Sequence, residues 1–364
     1  MSTVSVVGIG RLGLGFALAL EKSGFKVIGV DKNQTYVDKI KQKKLVTVEP
    51  FIQEYLNSSK NFDVTTQLKN ALDSEVIFVL VATPALSSGE YDASQIQSVV
   101  DELTSFGKQD ITKHLVISCT VNPGLCDNVA KILEPLHFTV SYNPEFLAQG
   151  SIIKNIQNPD MVVIGEGSKL AGEKIHEIHK KLCLTKPIFH HMSRLSAEIT
   201  KIALNCFMTT KISFANSIGD LARKSGAEHE KILTALGTDS KIGSKCLNYG
   251  FGYGGPCLPK DNGALLSFAK KIQMDLPISR ATDETNKIHL EFQFNEYKNH
   301  PKDEIIVFDG VTYKNGTIII EESQKLKLAE KLAKEGYKIL VKDIPQVIEQ
   351  VKKLHGSLFE YEYI

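Results

Sequence analysis

The chain has 364 residues, of which 42% are hydrophobic and 23% charged, and its formal net charge is +1. This length is sufficient for about two or three domains with their own cores, and the near-neutral charge gives no indication of a nucleic-acid or membrane-surface partner. No apolar run approaches the roughly 20 residues needed to cross a bilayer, and the N-terminus lacks the regions of a signal peptide. Six cysteines without a C-x-x-C pair indicate reduced thiols in a cytoplasmic protein. We expect no metal, membrane or nucleic-acid partner.

Short apolar runs alternate with helical patterns through the first half of the chain. The stretch "VSVVGIG" is typical of a strand, "LGFALALEKSG" of a helix, and "KVIGVD" of the next strand. Further strands are predicted at 76–82, 114–119, 138–143 and 160–166. Continuous apolar strands separated by helices predict a parallel sheet covered on both faces. We therefore expect an N-terminal Rossmann-type, doubly wound α/β domain over residues 1–190.

From Ser193 the pattern keeps helical spacing for more than about thirty residues without a proline. Its apolar residues cover much of the circumference, which is typical of helices buried between domains or subunits. We expect this helix to organise a central domain over 191–300 and to carry a homodimer interface. The stretch 301–364 shows two strands around a helix, followed by a short helix and "LFEYEY", and predicts a reduced Rossmann-like α/β unit.

The segment Gly8-Ile9-Gly10-Arg11-Leu12-Gly13 lies between a predicted strand and a predicted helix. Asp31 ends the next strand, about twenty residues later. Glycines at this spacing let backbone N–H groups approach a pyrophosphate at a helix N-terminus. The Asp31 carboxylate would accept hydrogen bonds from the adenosine ribose and repel a 2′-phosphate, so NAD is predicted in preference to NADP.

Polar side chains follow three further strands of the predicted sheet. Thr83 lies in "VATP", Ser118 and Thr120 lie in "SCTVNPG", and Glu145 lies in "NPEFLAQGS". Because ligands of open α/β sheets bind beyond the carboxyl ends of the strands, we expect these loops to line one crevice.

Two polar residues of the long predicted helix, Lys201 and Asn205, lie four residues apart and therefore on one face. In an isolated helix a solvent-exposed pair would be the simpler interpretation. Their neighbours are mostly apolar, and a lysine on a largely buried helix needs a partner or a chemical role.

The stretch "GFGYGGPCLPKD" surrounds Cys257 with glycine and proline. We expect a helix to begin near Asp261, which could also serve as its N-cap. A helix N-terminus and Lys260 would both favour the thiolate form of Cys257. The glycines would let the backbone fold tightly and let a ligand approach. Considered alone, the thiol is more simply interpreted as a buried loop cysteine.

Together, "GIGRLG", "TP" at 83–84, "SCTVNPG", "NPEFLAQG", "AEITKIALNCF" and "GFGYGGPCLPKD" resemble the UDP-glucose/GDP-mannose dehydrogenase family. The resemblance is clear over roughly residues 3–275 and weaker beyond. It implies an NAD-dependent four-electron oxidation of a nucleotide sugar at C6, with UDP-glucose as the default substrate. Cys257 would form a thiohemiacetal and then a thioester that water hydrolyses.

The resemblance also implies roles for individual residues. The catalytic residues would be Cys257, Lys201, Asn205, Asp261, Glu145 and Thr120. The cofactor would contact Gly8, Ile9, Gly10, Leu12, Gly13, Asp31, Thr83, Ser118, Thr120, Gln149 and Lys260. The substrate would contact Glu145, Phe146, Leu147, Lys201, Asn205, Lys241, Asn248, Tyr249, Phe251, Gly252, Gly254, Tyr313 and Lys314.

Three positions depart from the family pattern. Gln149 stands where a glutamate is usual, Lys241 where an arginine is common, and Glu321 where an arginine follows the nucleotide-binding loop; the chain is also shorter than typical members. Three alternatives therefore stay open. The first is the same chemistry on a UDP-N-acetylhexosamine or GDP-mannose. The second is a two-electron 3-hydroxyacid dehydrogenase, and the third is a nucleotide-sugar or NAD-binding protein with little turnover.

Overall fold

The computed structural model describes residues 2–47, 49–147 and 150–364. Contacts within the chain divide it into two compact units, Met1–Lys201 and Ile202–Ile364.

In the first unit, eight of the described strands form one sheet in the order β3-β2-β1-β4-β5-β6-β7-β8. These strands are β1 (Thr3–Val7), β2 (Lys26–Val30), β3 (Phe62–Thr65), β4 (Val76–Val79), β5 (Lys113–Ile117), β6 (Phe138–Tyr142), β7 (Met161–Gly165) and β8 (Ile188–Met192). The order reverses between β1 and β4, which is the switch point of a Rossmann-type sheet. The predicted doubly wound sheet is confirmed, with one antiparallel pair, β6 and β7, that the sequence pattern did not indicate.

Helices cover both faces of this sheet. They are α1 (Arg11–Lys22), α2 (Gln34–Lys41), α3 (Ile52–Ser58), α4 (Ser94–Ser105), α5 (Leu125–Leu133), α6 (Ile152–Gln157) and α7 (Lys169–Leu182), with 3-10 turns at Leu68–Asp73 and Glu134–Leu136. Phe16 of α1 and Ile175 of α7 belong to the core on one face, whereas Val100 of α4 and Val129 of α5 belong to the core on the other. The near-continuous apolar strands follow from burial on both sides.

Sequence reasoning missed the two edge strands, β3 and β8. The residues of β8, "IFHHM", include none that is fully buried. Edge strands tolerate polar residues because only one of their sides pairs with the sheet. Their hydrophobic pattern is correspondingly weak.

The predicted long helix is α8 (Arg194–Ser225), which has 32 residues. Its first turn is held by Arg194, whose guanidinium donates to Asp127 at 2.6 Å and to Glu134 at 2.9 Å. Across the described parts of the chain, no helix combines the length and apolarity required of a membrane span.

The second unit contains the remainder of α8 and further helices and strands. These are α9 (His229–Thr238), α10 (Leu258–Lys271), α11 (Pro277–Glu296), β9 (Ile305–Asp309), α12 (Gln324–Lys334), β10 (Lys338–Asp343), α13 (Pro345–His355) and β11 (Glu360–Tyr363). The three strands pair in parallel in the order β11-β10-β9, which confirms the reduced Rossmann-like unit. The expected start of α10 near Asp261 was wrong, because Cys257 is the N-cap residue and Asp261 lies inside the first turn.

Candidate functional site

The turn after β1 has the backbone geometry of a phosphate cradle. Gly8 has a φ of +86°, and a Cβ there would lie 2.6 Å from the carbonyl oxygen of Leu80. A Cβ on Gly13 would lie 2.0 Å from the carbonyl oxygen of Gly8, so α1 can pack against the turn only with glycine. Around Gly10, in contrast, no described atom outside its chain neighbours lies within 4 Å of the Cβ position. The N-terminus of α1 is therefore open where a pyrophosphate would bind.

A cavity of about 260 Å³ opens beside this turn and is lined in part by Gly8, Gly10, Asp31 and Lys32. Asp31 directly follows β2, and its carboxylate accepts a hydrogen bond from the backbone N–H of Asn33 at 3.0 Å. A carboxylate in this position can also accept from the two hydroxyls of a ribose. The residues present therefore fit an adenine dinucleotide.

The remaining fingerprint residues differ in exposure. Ile9 is completely buried in the core, whereas the side chain of Leu12 is 40% exposed. Only the backbone of Ile9 can therefore face a cofactor.

The loops after β4 and β5 are joined by a hydrogen bond. The hydroxyl of Thr83 donates to the backbone carbonyl of Thr120 at 2.8 Å. Ser118 is buried, and its hydroxyl has no hydrogen-bond partner among the described residues. A buried hydroxyl without a partner is unfavourable, so Ser118 is suited to bind a group of a cofactor.

The loop after β6 brings Glu145 next to Lys201. The ammonium of Lys201 donates to the backbone carbonyl of Glu145 at 2.9 Å and lies 4.8 Å from the centre of the Phe146 ring. Lys201 is buried, so this loop supplies part of the environment that its charge requires.

The carboxyl group of Glu145 is electrostatically unusual. One of its oxygens is buried and accepts no hydrogen bond from the described residues. Burial raises the pKa of Glu145 to about 7, although the positive charge of Lys201 acts in the opposite direction. A carboxyl group that titrates near neutral pH can exchange a proton with water or substrate at little cost.

Asn143 fixes the start of the same loop. Its amide donates to the carbonyl of Val163 at 2.9 Å, and its oxygen lies 2.6 Å from Nε2 of His179. Burial lowers the pKa of His179 to about 4, so the ring is neutral at pH 7 and donates through Nε2. Sequence reasoning did not identify His179.

Glu198 has a role that sequence reasoning missed. Its carboxylate accepts hydrogen bonds from the backbone N–H groups of Gly124 at 2.6 Å and Cys126 at 2.8 Å. Burial raises the pKa of Glu198, although these two N–H groups act in the opposite direction. Glu198 thus caps α5 from outside that helix and fixes the loop that contains Thr120 relative to α8.

In the second unit, Cys257, Asp261 and Asn205 lie on two helices that contact each other. Cys257 is exposed at the N-terminus of α10. Asp261 lies one turn later and is buried, and its carboxylate accepts a hydrogen bond from the Asn205 side-chain amide at 2.5 Å. The backbone N–H of Asp261 donates to the carbonyl of Cys257 at 2.8 Å. An accessible thiol and a buried, oriented carboxylate thus lie one turn apart on α10.

Cys206, next to Asn205 on α8, provides a contrast. Its thiol donates to the backbone carbonyl of Asp261 at 3.6 Å. Burial, followed by the negative charge of Asp261, raises the pKa of Cys206 to about 12. Cys206 is therefore a packing residue and not a nucleophile.

Three of the glycines before Cys257 are required by close packing within the chain, whereas the sequence suggested that they leave room for a ligand. A Cβ on Gly252 would lie 2.2 Å from the Asn286 side-chain oxygen, and a Cβ on Gly254 would lie 2.1 Å from the carbonyl oxygen of Glu322. A Cβ on Gly255 would lie 2.4 Å from the Tyr313 ring. The close packing of the chain itself requires these glycines, so they do not by themselves indicate space for a ligand.

Polar residues on one face of α11 form hydrogen bonds with the glycine-rich stretch before Cys257. Sequence reasoning did not identify them. Asp283 accepts a hydrogen bond from the Tyr253 hydroxyl. Asn286 binds both the N–H and the carbonyl of Tyr253, each at 3.0 Å. Two further residues, His289 and Gln293, reach the carbonyl of Gly250. Their spacing is that of one helix face, which was the available signal.

The other predicted substrate residues fall into two groups. Tyr249 is tied to α8, since its hydroxyl donates to Asp220 at 2.9 Å. Lys241, Asn248, Phe251 and Lys314 are exposed. Leu147 is half-buried. Of the remaining predicted cofactor residues, Lys260 is half-buried and Gln149 lies outside the described residues.

Comparison with known proteins gave consistent matches. Models of the NAD-binding and central domains of the UDP-glucose/GDP-mannose dehydrogenase family match residues 2–183 and 195–288. GDP-mannose 6-dehydrogenase of Pseudomonas aeruginosa is 31% identical over 98% of this chain and 84% of its own length. UDP-glucose 6-dehydrogenase of Rickettsia felis is 29% identical over 96% of this chain and 80% of its own. A solved UDP-glucose dehydrogenase from Pyrobaculum islandicum has a TM-score of 0.90 at 26% identity, over 100% of this chain and 86% of that one.

Proposed function

Because the chain belongs to the UDP-glucose/GDP-mannose dehydrogenase family, whose NAD-binding domain it contains, we propose that it oxidises a nucleotide sugar at C6 to the uronate through covalent intermediates on Cys257. The cofactor is NAD, in agreement with the prediction from the glycine fingerprint. The relatives named above act on UDP-glucose or GDP-mannose, and we take UDP-glucose as the default substrate.

One observation carries the covalent part of this proposal. Among the six cysteines, all of them described, Cys257 alone is exposed. It lies at a helix N-terminus, where backbone N–H groups stabilise negative charge, and one turn before Asp261. A two-electron dehydrogenase of hydroxyacids would need no such thiol.

The proposed sequence conserves atoms and electrons. The sugar C6 alcohol loses a hydride and a proton to become an aldehyde, and the Cys257 thiolate adds to the aldehyde carbon to give a thiohemiacetal. Loss of a second hydride and proton gives a thioester; water then adds, the C–S bond breaks, and the carboxylate leaves. When bound, NAD supplies the hydride acceptor for both oxidations.

The side chains have separable roles in this sequence. The Lys201 ammonium stabilises the negative charge that develops on the sugar oxygen, and Asn205 orients Asp261 for proton transfer. Glu145, with a pKa of about 7, accepts a proton from the hydrolytic water, which Thr120 helps to position.

The stoichiometry of the reaction tests this function directly. We expect two NADH per nucleotide sugar consumed when UDP-glucose, UDP-N-acetylhexosamines and GDP-mannose are assayed separately with NAD. One NADH per substrate, obtained only with 3-hydroxyacids, would identify a two-electron dehydrogenase. Binding of nucleotide sugar without NADH formation would support a binding protein.

We assign residues 1–190 to cofactor binding, 191–300 to catalysis and dimerisation, and 301–364 to the nucleotide end of the substrate. Tyr313 supports the last assignment, because its ring packs against Gly255, two residues before Cys257. Glu321 is an exposed carboxylate near Tyr313 in sequence, and we expect it to weaken binding of a diphosphate.

The homodimer belongs to the same proposal. On the part of α8 within the second unit, Phe207, Phe214 and Leu221 are 63%, 51% and 65% exposed. Residues seven apart lie close to one face of a helix, and exposed apolar stripes of this kind mark interfaces.

We expect Phe214→Glu to convert the dimer to a monomer, because it would place a charge within the buried stripe. Light scattering coupled to size exclusion measures the mass. Leu354→Glu on α13, which is 68% exposed, is the matched control and keeps the dimer. A wild-type protein with the mass of one chain would contradict the interface.

A further inference from the structure

We propose that His289 is a positioning residue that fixes the Cys257 segment (residues 248–257) through the carbonyl group of Gly250. The inference deepens the proposed function and rests on it for its catalytic consequence. Its structural part concerns contacts within the second unit only.

The peptide groups on both sides of Gly250 are held by two helices. Its N–H donates to the Asn216 side-chain oxygen at 3.0 Å. Its carbonyl accepts from Nε2 of His289 at 2.6 Å and from the Gln293 amide at 3.3 Å. Asn216 belongs to α8, and the two donors belong to α11, so hydrogen bonds from two helices fix the backbone at Gly250.

The second nitrogen of the His289 ring faces a carboxylate. Nδ1 lies 2.8 Å and 3.0 Å from the two oxygens of Asp220. The buried ring therefore bridges the Asp220 carboxylate and the Gly250 carbonyl. The His289 contact, at 2.6 Å, is the shorter of the two that side chains of α11 make with the Gly250 carbonyl.

The residue before Gly250 is part of the same arrangement. The Tyr249 hydroxyl also donates to Asp220, and its ring lies 5.5 Å from the His289 ring. A Cβ on Gly219 would lie 1.9 Å from the Tyr249 ring, so the tyrosine packs closely against the backbone of α8. The Arg223 guanidinium lies 5.9 Å from the centre of this ring.

Glycine makes this anchoring necessary. Apart from its two chain neighbours, no described residue has an atom within 4 Å of the Cβ position of Gly250, so hydrogen bonds and not side-chain packing hold this residue. A glycine has the most backbone freedom to lose on ordering, and two glycines flank the exposed Phe251. Beyond Gly250, the Phe251 carbonyl accepts from the Asn216 side-chain amide at 3.4 Å, and Tyr253 is held by Asn286. Without the His289 contact, the Gly250 carbonyl would keep only the Gln293 amide as a donor, at 3.3 Å, and the segment close to the nucleophile would be held less firmly.

Two substitutions at one position separate positioning from simple core stability. Glutamine places its amide near Nε2 and can keep the Gly250 contact, whereas asparagine places its amide near Nδ1 and can keep the Asp220 contact. If His289 positions the segment, we expect His289→Asn to lower kcat/KM for the nucleotide sugar about tenfold with the KM for NAD unchanged. His289→Gln should lose about threefold or less. His355→Gln on α13 is the control for the histidine replacement.

Hydrogen–deuterium exchange provides a measurement that needs no substrate. We expect faster exchange in residues 248–254 of the asparagine variant, slower exchange restored in the glutamine variant, and no change in β9. Gln293→Met removes only the weaker donor to the Gly250 carbonyl and should raise the exchange rate slightly in the same residues. If His289→Asn fails to fold, this variant replaces it as the test of the contact. Equal losses in the two histidine variants, or a larger loss with glutamine, would overturn the inference. If the wild type oxidises no nucleotide sugar, the proposed function fails, while the exchange data still decide the role of His289.

Discussion

Cys257→Ser is expected to lower the rate of uronate formation by roughly 10³-fold or more. A serine hydroxyl is a far weaker nucleophile than a thiolate near neutral pH, and an oxygen ester is formed less readily from an aldehyde without activation. The first oxidation does not require the thiol. With an aldehyde-trapping amine present, the variant should therefore form about one NADH per sugar, whereas the wild type forms two.

Cys246→Ser is the matched control, because Cys246 lies in the same unit and outside the proposed chemistry. It should keep wild-type turnover and the same count of NADH. Mass spectrometry of the denatured wild type during turnover should find sugar-derived mass only on the peptide that contains Cys257. Undiminished uronate formation by Cys257→Ser would refute the covalent mechanism and leave a route through the free aldehyde hydrate.

Local sequence signals were sufficient to predict the glycine turn after β1. The positive φ of Gly8 and the close packing of Gly13 are imposed within the turn itself and on its immediate neighbours. Their spacing therefore predicts the cradle without knowledge of distant residues. The carboxyl ends of parallel strands likewise meet by topology alone, and the Thr83 hydroxyl does contact the Thr120 carbonyl. The predicted crevice that also includes Glu145 stays a prediction.

The interpretation of the Cys257 segment was less complete because its reasons are non-local. The residue that needs Gly252 to be small is Asn286, which binds Tyr253 from 33 positions away in sequence. Glu198 similarly caps α5 from 72 and 74 positions away. No periodicity in a single segment reveals which glycine faces a side chain and which faces solvent.

The role of Asp261 is a second case in which the reason is non-local. Asp261 was a candidate N-cap by residue type, yet it is a buried partner of Asn205 in the first turn of α10. Residue type indicates that a carboxylate is favoured near a helix N-terminus. Only the packing of α8 against α10 decides that this one is oriented by an amide.

Glu145→Gln is expected to slow the reaction strongly after the second oxidation, with the thioester accumulating on Cys257. The proposed hydrolysis needs a base for water, and general base catalysis is worth about 10²- to 10⁴-fold. A glutamine keeps the shape of the loop and the Lys201 contact with the backbone carbonyl, but it cannot accept the proton. We expect a rapid burst of two NADH per active site, followed by turnover slowed by about that factor, and a stable adduct in intact-mass spectra.

Glu166→Gln, which removes a half-exposed carboxylate at the end of β7, is the control and should show neither burst nor adduct. A burst of one NADH from Glu145→Gln would place the block before the second oxidation. That result would assign Glu145 to the oxidation steps and contradict its role in hydrolysis.

The pKa of Glu145 gives this prediction a pH dependence with a definite sign. Burial raises the pKa from 4.5 to about 7, so the wild-type hydrolysis rate should increase as the pH rises through about 7, where the carboxylate forms. The glutamine variant should lose this increase.

Stability should change in the opposite direction to activity. Between pH 4.5 and 7 the folded chain binds more protons at this site than the unfolded chain, so the free energy of unfolding falls as the pH rises. Glu145→Gln, which is neutral at all pH values, should therefore match the wild type near pH 4.5 and exceed it above pH 7 by roughly 1–3 kcal/mol. Thermal unfolding of the ligand-free proteins at pH 5 and pH 8 measures this difference. A variant less stable than the wild type at pH 8 would mean that the ionised carboxylate is a favourable partner in the fold, and its proposed readiness to take a proton from water would lose its physical basis.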